Sequence, residues 1–415
     1  MTRLARRDFL QLTALAAGGT VLGARLAFAH TSTQRPRFVL VIMRGALDGL
    51  AAAPPYADPD YAGLRREVAL RAPGSENGAL PLDGFFGLHP SLEFLGQCYA
   101  ARELTVLHAL ASPYRERSHF DGQDALENGT PQPHALPTGW LNRALLRLPG
   151  GAPREAGVAL GQNVPLVMRG PAEVTSWSPS RLNALDEDTL ARITDLYAND
   201  KLLSVRLADG LAADVIAGGG GADRGVADNA MQGQPPAPPV QAYNGRYAEV
   251  VRATAGFLRQ EQGPRVAVFD TSGWDTHANE GGAQGQLAGR LAALDRALAT
   301  LKAELGPTWG DTAVLLVTEF GRTASVNGTR GTDHGTATAA FLLGGAVAGG
   351  KVIADWPGLS ARALYQGRDL SPTLDLRAVL KGVLGEHLGV PQRALEESVF
   401  PESAAARPLR GLMRT

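Results

Sequence analysis

Three nearly continuous apolar runs constrain the fold most: Arg37–Met43 (RFVLVIM), Arg265–Phe269 (RVAVF) and Ala313–Thr318 (AVLLVT). They are rich in β-branched residues and lack polar alternation, which predicts strands buried on both faces, as in a parallel sheet covered by helices. Between the second and third, Gln284–Leu305 places Leu287, Leu291, Leu294, Leu298, Leu301 and Leu305 at spacings of four and three. That stripe predicts a helix packed on the sheet, with Arg290, Asp295 and Lys302 facing solvent. Its length suits a right-handed crossover between parallel strands. The expected class is α/β, with a mostly parallel central sheet and helices on both faces.

Further strands are expected at Leu104–Leu110, Gly157–Leu160, Val164–Met168 and Ala339–Leu343, and helices at Tyr61–Arg66, Leu88–Ala101, from Trp140, Leu190 to about Leu211, Tyr243–Leu258 and Asp375–Leu388. Gly218–Gly221 and Pro235–Pro239 bracket a stretch without periodicity, read as a flexible insertion near residues 217–240 of a single domain over 30–415. Cys98 is the sole cysteine, so no intramolecular disulfide can form, and it is expected in the core face of a helix.

The first 29 residues read as a targeting segment. Arg6 and Arg7 precede Asp8, Phe9 and Leu10, an apolar run follows from Leu12 to Leu22, and Ala27, Phe28 and Ala29 form a small-x-small cleavage site. The pattern resembles a twin-arginine signal, with Ala5 where Ser or Thr is usual. It implies the twin-arginine export machinery as a partner and a periplasmic or secreted destination. The run is weakly hydrophobic and too short to span a bilayer stably, and no span is expected in the mature chain. A formal net charge of −1 over 415 residues predicts no attraction to nucleic acid or anionic membrane.

Chemistry in open α/β sheets collects beyond the carboxyl ends of the strands. There the sequence places Arg44 and Asp48 after the first run, Asp275 and His277 after the second, and Glu319, Arg322, Asp333 and His334 after the third. Single residues of this kind are commonly helix caps or turn formers. Imidazoles have no such structural use in Gly- and Thr-rich loops, and two acid–histidine pairs at two strand ends point to one shared site. After Leu104–Leu110 come Arg115, Ser118, His119 and Asp121, with Ser118 at a helix start that either caps the helix or faces an anion.

Together RGALDGL, RSHFDGQDALENG, GWLNR, FDTSGWDTHANEG, VTEFGRT and GTDHGTATAAFLLGG resemble the exported bacterial family catalogued as domain of unknown function 1501. That family is grouped with the alkaline phosphatase, sulfatase and cofactor-independent phosphoglycerate mutase superfamily. The resemblance implies an alkaline-phosphatase-like fold. It implies divalent-metal ligands among Asp48, Asp275, His277, Glu319, Asp333 and His334, and a nucleophile region at Ser118. His119 is a further candidate ligand, and Arg44, Arg115 and Arg322 are candidates to neutralise the oxygens of the ester. Glu319-Phe320 stands where relatives usually carry Asp followed by His or Asn. That removes a nitrogen ligand and argues for one ion over two. Ala111 stands at the nucleophile position of a sulfatase-like ASPYR, which excludes formylglycine chemistry there.

The expected activity is hydrolysis of small anionic phosphate or sulfate esters with Zn or Mn, or Mg or Ca if few nitrogens bind. The rival is a non-catalytic exported binding or assembly protein keeping a degenerate site. A cofactor-independent mutase or phosphotransferase is a third reading. No G-x-S-x-G elbow is present, against a serine hydrolase.

Overall fold

The computed structural model describes residues 35–150, 156–179, 187–198, 200–217 and 239–414. The expected export segment, 1–29, and residues 218–238 of the expected insertion lie outside them. Pro36–Thr415 is one compact unit.

The three apolar runs are neighbouring strands. Arg37–Arg44 (β1) pairs in parallel with Val266–Ser272 on one side and Thr312–Val317 on the other. In chain order the remaining sheet strands are Leu104–Ala111 (β2), Gly157–Leu160 (β3), Val174–Trp177 (β4), then Val266–Ser272 (β5) and Thr312–Val317 (β6), followed by Thr338–Leu343 (β7), Lys351–Ile353 (β8) and Leu374–Asp375 (β9). The sheet order is β8-β2-β7-β6-β1-β5-β3-β4, with β9 also on β2. Every pairing is parallel except those of β7 with β2 and β6.

Alternate residues of β1 feed two cores. Val39, Val41 and Met43 pack with Leu287, Leu291, Leu294 and Leu298 of the Gln286–Leu305 helix and with Val251 and Leu258 of the Pro239–Arg259 helix. Phe38, Leu40 and Ile42 pack on the opposite face with Trp140, Leu141, Val379, Leu380 and Val383. These side chains are fully or nearly fully buried. Each contributes about 1.5–3 kcal/mol relative to exposure, which is why both faces read as apolar in sequence.

Several expectations need correction. Val164–Met168 is not a strand; Leu166–Met168 forms a single 3₁₀ turn that buries Val167 and Met168. β4, with its polar Thr175 and Ser176, is a sheet-edge strand that no apolar run announces. The Leu88–Ala101 helix is shorter, Glu93–Ala100, because Leu88 pairs with Leu80 in a two-stranded ribbon. Asp295 is buried rather than solvent-facing: its carboxylate accepts hydrogen bonds from the Phe94 and Leu95 amides at 2.8 and 3.0 Å and so caps that helix. No helix among the described residues is long and apolar enough to cross a membrane.

Candidate metal centre

The topology brings the site loops together. β1, β2, β5 and β6 share one direction, so Arg44, Ala111, Ser272 and Val317 end at one edge of the sheet. β7 runs the opposite way and therefore begins at that edge, with Thr338 opposite Leu110. His334 just before β7 thus meets the segments following the other strands. The β6–β7 excursion folds back on itself through Thr323 N–H to Asp333 O (2.9 Å) and Gly335 N–H to Gly321 O (2.8 Å). It also zips onto the loop after β5, through Thr332 N–H to Thr276 O (3.1 Å), Asn279 N–H to Thr329 O and Glu280 N–H to Arg330 O (both 3.0 Å). Gly331 permits that approach, since a Cβ there would lie 2.4 Å from the His277 carbonyl carbon.

Three imidazoles surround the Asp275 carboxylate. His119 Nε2 lies 3.4 Å from Asp275 Oδ2, while His277 Nε2 and His334 Nε2 lie 3.0 and 3.3 Å from Oδ1. His277 Nε2 and His334 Nε2 are 3.0 Å apart. His119, Asp275 and His334 each present a ligand atom within 4.8 Å of the others. Each ring is held from behind at Nδ1: His119 by Glu319 Oε1 at 2.8 Å, His334 by the Arg117 carbonyl at 3.0 Å and His277 by Asp333 Oδ1 at 3.3 Å. Those partners only accept, so Nδ1 carries the proton and Nε2 turns inward, the usual arrangement of metal-ligating histidines.

Two details make the cluster unsatisfied as a set of neutral rings. His277 and His334 would then oppose lone pair to lone pair, and His119 Nε2 is a buried nitrogen with no hydrogen-bond partner. A buried polar atom without a partner is costly, and a shared proton or a cation relieves it. The hydrogen bond to Glu319 raises the His119 pKa against its burial, so without a cation this ring tends to hold a proton. Burial, followed by the charge of His119, lowers that of His334. Burial works to raise the Asp275 pKa, but the Arg322 hydrogen bond and charge outweigh it and keep the carboxylate ionised. Glu319 is likewise lowered against its burial by the bond to His119 and by surrounding donors. Nitrogen donors and an ionised carboxylate are the donor set of Zn or Mn.

The expected site residues divide. His119, Asp275, His277 and His334 come together. Glu319 is fully buried behind them, and its Oε1 also accepts from Gly45 N–H (2.9 Å) and Gln123 Nε2 (3.2 Å), so it supports His119. Asp333 is exposed, and Oδ1 faces Asn327 Nδ2 at 3.0 Å as well as His277. Asp48 belongs to another cluster: Oδ1 caps the Gly49–Ala52 helix, and Oδ2 pairs with the fully buried Arg65. Both oxygens are thereby committed, which corrects its expected part as a ligand.

The arginines are committed too. Arg322 is buried, donating from Nη1 to Asp275 and from Nε (3.1 Å) and Nη2 to the Thr332 hydroxyl and carbonyl. Arg44 bonds Asp270 (2.6 Å), Glu127 (2.8 Å) and Gln123 (3.0 Å), and Arg115 donates to the Ser112 and Tyr114 carbonyls. Ser118 is the N-cap of the His119–Asn128 helix, but its side chain makes no capping bond.

Sequence reasoning missed the supports. Arg117 has a left-handed φ of 61°, its carbonyl holds His334, and its side chain is anchored on Asp369 (2.9 Å) and Gln366 (2.7 Å). No residue pattern announces that conformation. Arg65 and Glu280 were also missed. They join Asp48 in a buried triad, with Arg65 Nη2 3.4 Å from Glu280 Oε1, and the Thr276 and Thr332 hydroxyls bond Glu280 Oε2 at 3.1 and 2.8 Å.

These observations define an α/β protein with a mostly parallel sheet and a three-histidine, one-aspartate cluster beyond its strand ends. Residues 107–399 match the family described as Protein of unknown function (DUF1501), and the chain belongs to that family. No curated protein matches it. Among solved structures, Ps i-CgsB in complex with k-i-k-neocarrahexaose is 12% identical, with 90% of this chain and 77% of that chain covered and a TM-score of 0.39. Alkaline phosphatase from the Antarctic bacterium TAB5 is 13% identical, with 74% and 92% covered and a TM-score of 0.33.

Proposed function

We propose that this chain is an exported, metal-dependent hydrolase of small phosphate or sulfate esters, acting in the periplasm or outside the cell after twin-arginine transport. The carrying observation is His119 Nε2, a buried nitrogen without a hydrogen-bond partner, held 3.4 Å from Asp275 Oδ2 by a carboxylate behind its ring. His119, Asp275 and His334 would hold a divalent cation, with His277 beside them, and Zn or Mn suits these donors best. Such an ion supplies the charge that polarises an ester oxygen. The chain's own part is to fix the ring nitrogens, keep Asp275 ionised through Arg322 and leave the Ser118 hydroxyl uncommitted at the start of a ten-residue helix. Backbone amides there favour an anionic substrate.

One observation favours the second reading, a non-catalytic binding or assembly protein. Arg44, Arg115 and Arg322 are all engaged by groups of the chain itself, and none is offered to the oxygens of a transferring group. The deciding experiment combines elemental analysis of the purified protein with turnover of aryl phosphates, phosphodiesters and aryl sulfates under added Zn, Mn, Mg and Ca. Bound metal with turnover supports the hydrolase. Bound metal with no turnover of any substrate supports the binding protein.

A further inference from the structure

The cluster carries enough donors for two ions. Three imidazoles flank one carboxylate whose two oxygens face different partners, and a carboxylate bridging ions about 3.5–4 Å apart is a common hydrolytic arrangement. On one side Asp275 Oδ2 meets His119 Nε2 at 3.4 Å; on the other, Oδ1 lies near His277 and His334. What decides the count is Arg322. Its Nη1 is hydrogen-bonded to the same Oδ1, and its side chain is fully buried. The Thr332 hydroxyl and carbonyl hold its other nitrogens. A guanidinium cannot shed its charge, so a fixed positive charge stands where Oδ1 would reach out to a second cation.

The other routes to a second ion are closed as well. Phe320 is buried and stacks on His119, with ring centroids 5.0 Å apart and planes at 26°, and it lies 5.3 Å from the His334 ring. It presents carbon where a ligand would have to enter. Glu319 is enclosed by His119, Gly45 and Gln123, and Asp48 by Arg65 and two amides. The remaining carboxylate, Asp333, is turned to Asn327 and His277 Nδ1 on the outer side of that ring.

We infer that the centre binds one divalent cation per chain, and that the Arg322 guanidinium takes the place of a second. The inference rests on the metal-centre reading above. The test is the number of Zn²⁺ equivalents retained by the full chain after loading and desalting, counted by elemental analysis and by calorimetric titration of chelator-stripped protein. One equivalent is expected. Two tightly held equivalents, both lost in Asp275→Ala, overturn the inference while leaving the metal centre standing; no retained metal overturns the metal reading itself. Arg322→Ala, if its circular dichroism matches the parent, is expected to take up a second equivalent. A folded Arg322→Ala chain that still binds one shows that Arg322 is not what excludes the second, which also overturns the inference. If that variant does not fold, the parent count decides alone.

Discussion

Glu319 Oε1 sits 2.8 Å from His119 Nδ1, and this contact decides which nitrogen the ring shows to Asp275. Glu319 directly follows Thr318 at the end of β6, whereas His119 opens a helix 200 residues earlier, so one hydrogen bond ties two distant strand ends. Glu319→Gln should preserve the shape while weakening the demand for a proton on Nδ1. Zn²⁺ affinity, read by competition with a chromophoric chelator, should fall by roughly 10- to 100-fold, the usual effect of losing a carboxylate behind a ligating histidine.

His119→Ala and His334→Ala should each lower metal affinity by at least about 10- to 100-fold, since a lost ligand costs no less than a lost support. Asp48→Ala should do the opposite of Asp275→Ala. It strands the buried Arg65 with Glu280 alone, so about 3 kcal/mol of stability should be lost in denaturant unfolding. Its metal content should stay at the parent level. A loss of metal in folded Asp48→Ala would return Asp48 to the site.

Gly331→Ala tests the zipper between the two loops. The added methyl would sit 2.4 Å from the His277 carbonyl carbon and from the Thr276 and His277 oxygens, which are backbone atoms and yield poorly. A destabilisation of about 1–3 kcal/mol is expected for such overpacking, together with weaker metal binding because His277 must move.

Glu280 should impose a pH dependence on stability. Burial, then the Asp48 charge, push its pKa up from 4.5 to about 8. The folded state therefore keeps a proton that the unfolded chain releases, and stability falls as pH rises from about 4.5 through about 8. Glu280→Gln removes the titration. Between pH 5 and 8 the unfolding midpoint of the variant should decline less steeply than that of the parent, and an unchanged slope would count against a protonated Glu280.

The sheet core was legible because burial on both faces leaves no polar residue within Phe38–Met43, Val266–Phe269 and Ala313–Val317, and because one leucine stripe marked the helix between the last two. β4 escaped notice since an edge strand needs no such run, and Leu166–Met168 is apolar for the sake of a buried turn. At the site, the acid–histidine pairs at 275–277 and 333–334 stood out because loops have little use for imidazole. The division of labour did not. Asp48 and Asp275 both follow a strand and a glycine, and only the placement of Arg65 makes the first a structural anion. Nothing in the neighbours of Glu319 tells that it faces a ring and not an ion. Arg117 contributes through its carbonyl, an atom every residue has.

β7, the lone reversed strand, has a consequence for assembly of the centre. Because it enters the sheet between β2 and β6, His334 reaches its place after segments more than 200 positions apart have paired. Contacts of such long range form slowly. The ring trio therefore depends on that long-range pairing, and an ion held by it would clasp together segments that only the completed sheet brings side by side.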